Sequence, residues 1–243
     1  IHQYKDNFSK PYDIKYEDQD GQHKHVHQTT YGMSERLVGA VVALHGDDKG
    51  LVLPPDIATM QVVIIPVLAK GAVEEVTEEA RALHAELKDA GVRAHIDERD
   101  LRPGAKYYDW ELKGVPLRLE LGLRDMEKQQ VTFVRRDSGD KSLHPRARLV
   151  EEVKKALSDI AEDMFDLARK DMEANTVTAE TLDNLPSKLI RTGWCGGEDC
   201  GHAIETRSNK HILGTPIDGE RFEGVCVICG KPTDKPVYLA DAM

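Results

Sequence analysis

No hydrophobic run in these 243 residues approaches the roughly 20 that a membrane-crossing helix needs. The most apolar stretches, such as Gln61-Val-Val-Ile-Ile-Pro66, are short, which excludes a transmembrane protein. Cysteine is scarce: there are four, all between Cys195 and Cys229. They are too few and too clustered for a secreted disulfide scaffold, and no signal peptide precedes them, so a reducing cytoplasm is the expected compartment. Excess positive charge is also missing. The 33 basic residues against 43 acidic ones give −10, which excludes whole-surface attraction to polyanions and makes any nucleic-acid site a local one. Internal repeats and low-complexity tracts are absent. The chain opens on Ile1 without a start signal, so it is expected to be a trimmed piece of a longer one.

What is present suffices for real cores, with 40% hydrophobic and 31% charged residues, and the length suits two domains. Ser34 is a candidate N-cap for a helix whose apolar positions Leu37, Ala40, Val41 and Leu44 recur at helical spacing until Gly46. Pro54-Pro55 then disfavours helix and marks a domain boundary, so a new domain is expected from near Ile57. Val62 to Ile65 reads as a strand buried on both faces. Val76, Ala80, Leu83 and Leu87 mark a helix ending at Gly91, and Val92, Ala94 and Ile96 alternate as a strand. Residues 104–113 read as helix, and 116–121 and 130–135 as strands, before a loop over Asp137 to Asp140. The expectation is an α/β domain of about five strands. From Pro145 a helix of roughly 25 residues carries Leu149, Val153, Leu157, Ile160, Met164, Leu167 and Met172 on one face. Asn184 to Pro186 breaks that pattern.

Two constellations carry chemistry. Cys195-x4-Cys200 and Cys226-x2-Cys229 are two pairs 25 residues apart with glycines beside the thiols. Four thiolates suit a tetrahedral zinc ion with no open position, a structural site. Two disulfides are the alternative, and His202 is a possible substitute ligand. The second constellation is a glycine and a permanent cation at a helix start, in His27-Gln-Thr-Thr-Tyr-Gly-Met-Ser-Glu-Arg36. Helix amides and an arginine fork suit a phosphate, although on composition alone a surface arginine capping a loop is the more ordinary reading. His23, His25 and His27 alternate without converging on one ion, as on a solvated strand.

The run from Thr29-Thr-Tyr-Gly-Met-Ser-Glu-Arg36 to Gly50-Leu-Val-Leu-Pro-Pro55 resembles motif 3 of the prolyl-tRNA synthetases. Gln61 to Pro66 resembles the first strand of the class IIa anticodon-binding domain. Arg102-Pro-Gly-Ala-Lys106, Trp110-Glu-Leu-Lys-Gly-Val-Pro-Leu-Arg-Leu-Glu-Leu-Gly122 and Val134-Arg-Arg-Asp137 resemble that domain's signature in the prolyl enzyme. The four cysteines match the zinc-binding C-terminal domain of the archaeal and eukaryotic type. Motifs 1 and 2 do not appear, so the resemblance is to the C-terminal half. It departs at Met243, where the family commonly has a tyrosine.

The resemblance implies three parts. Residues 1–56 are the end of a class II antiparallel-sheet catalytic domain, 57–144 an α/β anticodon-binding domain, and 145–243 a linker helix with a small α+β zinc-binding domain. It implies ATP-dependent activation of proline to prolyl-adenylate and transfer to the 3′ end of tRNA(Pro). Mg2+ accompanies ATP, the complete enzyme is a homodimer, and neither membrane nor DNA is a partner. Arg36 and Ser34 fall on ATP contacts, His2, Tyr31 and Gly32 on the proline pocket, and Cys195, Cys200, Cys226 and Cys229 on the zinc ligands. Tyr107, Glu111, Arg118 and Arg124 fall on positions that read the two anticodon guanines. An aromatic face stacks on a splayed base, arginine offers a fork to guanine O6 and N7, and glutamate accepts from the amino edge. An intradomain ion pair between Glu111 and Arg118 is the alternative. Residues 99–136 hold nine basic and six acidic residues, a local +3 that leaves −13 for the remainder. A non-catalytic RNA-binding protein that kept the anticodon and zinc domains is the alternative.

Overall fold

The computed structural model describes residues 2–68 and 71–241; Ile1 and Met243 lie outside them. Two compact units are formed, Ile1–Ser158 and Asp159–Met243.

The first unit opens with two ribbons. β1 (His2–Lys5) is antiparallel to β4 (Gln28–Thr30), and β2 (Lys15–Glu17) to β3 (His23–His25). His23 and His25 therefore stand on a short hairpin, as a solvated strand requires. Helix α1 (Arg36–His45) follows. Its first turn corrects the capping expectation. Glu35 already has helical φ and ψ and takes the N-cap place without a side-chain bond, while Ser34 contributes only its carbonyl, to the Leu37 amide at 3.1 Å. The apolar stripe of α1 is uncovered among the described residues, with Leu37, Val38 and Leu44 exposed and no residue buried.

The remainder of the unit is a mixed five-stranded sheet. Its elements are β5 (Val62–Val67), α2 (Val73–Asp89), β6 (Ala94–Ile96), α3 (Pro103–Leu112), β7 (Leu117–Gly122), α4 (Leu123–Glu127), β8 (Gln130–Arg135) and β9 (Lys141–Pro145). The strand order is β6-β5-β7-β8-β9, with β5 parallel to β6 and β7 and the last two pairings antiparallel. Val62 to Ile65 are fully buried at the centre, as a strand covered on both faces must be. On one face α2 buries Val76, Ala80, Leu83 and Leu87, and its acidic first turn and Lys88 in its last turn complement the helix dipole. On the other, Val63 and Ile65 pack with Trp110 and Val115 beneath α3. The fifth strand, β9, stands where the sequence suggested only the approach to a helix. That helix is α5 (Leu149–Ala174), preceded by a 3-10 turn over Arg146–Arg148. Its stripe is buried from Leu149 to Met164, but Leu167 and Met172 are exposed, which corrects the expectation that all seven positions share a packed face.

The second unit holds β10 (Thr176–Thr178), β11 (Leu189–Gly193), α6 (Glu198–Ser208), β12 (His211–Gly214), β13 (Gly224–Val225), β14 (Pro232–Thr233) and β15 (Pro236–Ala240). A four-stranded sheet runs β10-β11-β15-β12, and β13 pairs with β14 alone. Its core is Leu182, Ile190, Ile204, Val237 and Leu239, with Trp194 and Ile212 packed against it.

A buried ionic knot fixes α3 to the sheet. The Asp97 carboxylate, 1% exposed, accepts from Arg99 Nε at 3.0 Å, Arg99 Nη2 at 2.8 Å and Trp110 Nε1 at 2.7 Å. Lys106, itself buried, donates to the Asp97 carbonyl at 2.9 Å. Burial opposes the charge, yet Arg99 and the Trp110 indole hold the Asp97 carboxyl well below the usual carboxylate range. Breaking a buried pair leaves a charge uncompensated, so Asp97→Asn is expected to cost about 3 kcal/mol in urea unfolding near neutral pH. The folded-state pKa is depressed, so this stabilisation is complete above the unfolded value of roughly 4 and is lost as pH falls towards the folded one. The difference between wild type and variant should therefore shrink in acid.

Candidate functional sites: an RNA-reading face and a four-thiolate centre

Tyr107 and Glu111 are four residues apart on α3 and so share a face. Beside them β7 presents Arg118. Its guanidinium lies 4.2 Å from the Tyr107 ring centroid, its Nη1 donates to Glu111 Oε1 at 3.3 Å, and its Nε donates to Glu120 Oε1 at 3.1 Å. The ion pair weighed from the sequence is thus formed, with a second carboxylate that the sequence reading left out. Glu120 is buried and also accepts from Lys141 Nζ at 2.7 Å. Burial, then the Glu120 carboxylate, push the Tyr107 phenol up, so it stays protonated at neutral pH. Arg124 is exposed on α4 and borders a cleft with Tyr107, Glu120, Lys128 and Lys141. Glu111 and Arg118 border a second recess of about 190 Å³, next to Arg136 and the turn at Asp47. Tyr107 and Arg124 thus border one hollow and Glu111 and Arg118 the other, with Arg118 linked to the first through Tyr107 and Glu120.

The local +3 of residues 99–136 is not surface charge throughout. Lys106 is buried in the Asp97 knot, and Arg136, also buried, is clamped by Asp47. Arg99 holds Asp97 and Asp109. The side chains of Arg124 and Lys128, by contrast, make no hydrogen bond or ion pair among the described residues. Sequence reasoning missed Asp97. Its signal was the indole N–H of a buried Trp110, which needs an acceptor.

The five residues predicted to handle ATP and proline stay open. His2 pairs with Thr30 in the β1–β4 ladder, which brings it next to Tyr31. Tyr31 is 83% exposed, and Gly32 has nothing within 4 Å of where a Cβ would stand. Ser34 and Arg36 are exposed at the start of α1, and Arg36 makes no ion pair or hydrogen bond among the described residues.

In the second unit the Sγ atoms of Cys195, Cys200, Cys226 and Cys229 all lie within 4.8 Å of one another. Metal–thiolate bonds of roughly 2.3 Å give a tetrahedral edge of about 3.8 Å, so the donor set fits one ion with little adjustment. No disulfide joins the four thiols. His202 stands apart, largely exposed and 3.9 Å from Glu198. Burial opposes ionisation of Cys226, but the amides of Cys229, Ile228 and Cys195 lower its thiol to about 6. The Cys200 thiol is pushed up by its hydrogen bond to Cys195, by burial and by Cys229 and Cys226. Such crowding is what a bound cation relieves. Cys226→Ser is expected to lose the metal and to increase amide exchange in β11 and β15, since metal binding and folding are linked. Metal content and hydrogen exchange check this, and a full metal complement in the variant would refute the site.

Residues 61–156 match the family described as Anticodon binding domain, and residues 179–242 match Prolyl-tRNA synthetase, C-terminal. The proline–tRNA ligase of Thermococcus kodakarensis is 44% identical over 241 residues, covering 95% of this chain and 50% of the relative. That of Methanosarcina mazei is 43% identical over 246 residues, covering 99% and 51%. By these matches the chain belongs to the prolyl-tRNA synthetase family, and it spans about half the length of the curated relatives it matches.

Proposed function

We propose that this chain supplies the motif 3 segment, the anticodon-binding domain and the zinc domain of a proline–tRNA ligase. On this reading residues 1–56 end a class II catalytic domain, 57–144 read the anticodon, and 145–243 carry the linker helix and zinc site. The observation that carries it is the partly buried Tyr107, Glu111 and Arg118 cluster where α3 meets β7. Arg118 is oriented by two carboxylates, and its remaining N–H groups are available to guanine O6 and N7. Glu111 accepts from a guanine amino edge, and the Tyr107 ring or the guanidinium stacked on it provides a platform for an unstacked base. Arg124 and Lys128 supply phosphate attraction at the adjoining cleft.

In the whole enzyme proline's carboxylate attacks the α-phosphate of ATP, pyrophosphate leaves, and the terminal adenosine of tRNA(Pro) takes the prolyl group. The residues of this chain assigned there act by positioning and electrostatics, not by proton transfer. Arg36 holds the γ-phosphate of Mg2+-bound ATP, and Ser34 is a neighbouring nucleotide contact. His2, Tyr31 and Gly32 line the proline pocket. Cys195, Cys200, Cys226 and Cys229 hold a structural Zn2+. The complete enzyme is read as a cytoplasmic homodimer.

Binding of the chain to tRNA(Pro), and to the same RNA with both anticodon guanines replaced, at two salt concentrations tests the reading. Loss of well over tenfold at both salts is expected, since each base contact contributes about 1–3 kcal/mol. Equal binding of the two RNAs that vanishes with salt would leave only an electrostatic patch, as in the non-catalytic alternative.

A further inference from the structure

The recess beside Arg118 is walled on its far side by a segment from outside the sheet. Asp47 and Gly50 close a tight turn through reciprocal backbone bonds of 3.1 and 3.0 Å. The Asp47 carboxylate accepts from its own turn, at the Lys49 amide, and from Arg136 Nη1 at 2.8 Å and Nη2 at 2.6 Å. Arg136 Nε meanwhile donates to the Glu111 carbonyl at 3.0 Å. The turn therefore touches the end of the helix that carries two of the base-reading residues. Two glycines let the backbones meet. A Cβ on Gly50, at φ +132°, would stand 2.6 Å from the Leu112 backbone, and one on Gly114, at φ +69°, would stand 2.6 Å from Leu51 Cβ. The Leu51 amide donates to the Leu112 carbonyl at 3.1 Å across this contact.

The charges facing the recess are almost all spent. Arg136 and Asp47 neutralise each other, Arg118 is held by Glu111 and Glu120, and Arg135 by Asp137. Lys49 is the exception: it lines the recess and makes no side-chain hydrogen bond or ion pair among the described residues. Its backbone is nevertheless fixed by Asp47, so the ammonium is presented from a rigid wall. The hollow is about 190 Å³, below the roughly 300–1,000 Å³ that encloses a whole drug-sized ligand, so it can take in part of a nucleotide and leave the rest in solvent. Its floor includes Val63, Val115 and Val134.

We propose that this recess seats the nucleotide adjoining the base read by Glu111 and Arg118, with Lys49 contacting its phosphate. The inference rests on the anticodon-reading function proposed above and adds to it a phosphate contact supplied from the segment that precedes the sheet domain. A single strand passing Glu111 and Arg118 must run on past a surface those same two residues share with the turn. Among the described residues lining the recess, the unpaired Lys49 ammonium is the group whose charge a phosphate completes without displacing an existing ion pair.

The test is fluorescence anisotropy of the full chain with an RNA hairpin whose loop carries two consecutive guanines, over a salt series. The variants are Lys49→Ala, the neighbouring Asp48→Ala and Arg118→Ala. Lys49→Ala is expected to bind about three- to tenfold more weakly at low salt and to reduce the slope of log K against log salt by about 0.7. Asp48→Ala should bind at least as tightly as wild type. Unchanged affinity and slope in Lys49→Ala, with Arg118→Ala weakened, would overturn the recess and leave the anticodon reading standing. If Arg118→Ala and replacement of the guanines also change nothing, the anticodon reading itself fails and the recess with it. Lys49 is exposed, so its replacement leaves the fold intact, and the thermal transition of the variant verifies this.

Discussion

The proposed RNA-reading face depends on one buried carboxylate. Asp97 lies just past the end of β6, and through Arg99, Trp110 and the Lys106 contact with its carbonyl it fixes where α3 lies on the sheet. That placement sets where Tyr107 and Glu111 stand relative to Arg118 on β7. Without it α3 would be held mainly by the apolar contacts of Trp110 and Val115 with Val63 and Ile65, which are non-directional. A hydrogen-bonded charge adds a fixed register, at a desolvation cost that only a fully satisfied site offsets.

The same logic runs outward from α3. Arg118 is shared by two carboxylates, Glu120 by Arg118 and Lys141, and Arg136 by Asp47 and a helix carbonyl. Most cations of this region are therefore structural parts and not free counterions for RNA. Arg124, Lys128 and Lys49, whose side chains are unpaired among the described residues, stand at the borders of the two hollows.

Much of this was legible in the sequence, and the exceptions have physical causes. Long periodic or buried segments declared themselves, as at Val62 to Ile65, Val76 to Leu87 and Leu149 to Met164. So did the spacing of the four cysteines, because ligand chemistry is local in sequence. β9 did not, because Lys141-Ser-Leu-His-Pro145 is an exposed edge with no strict alternation. The short strands of the second unit were unreadable for a similar reason, being only two to five residues long. Ser34 had the residue type of a cap, yet the helical backbone of Glu35 removed the opportunity. Lys106 and Arg136 were counted as surface charge because composition carries no information on burial. The contact between Asp47 and Arg136 joins residues 89 positions apart, which no local pattern reveals.

The central claim is that Glu111 and Arg118, oriented from the Asp97 knot, read guanine edges. A double-mutant cycle tests it most directly. Wild type and Glu111→Gln are titrated with hairpins carrying guanine or inosine at each anticodon position, inosine lacking the amino group that a carboxylate accepts from. The account predicts that inosine at one position weakens wild type several-fold and that the loss largely disappears in Glu111→Gln, a coupling of about 1 kcal/mol or more. Losses that add independently at both positions would show that Glu111 serves only its ion pair with Arg118, and would contradict the account.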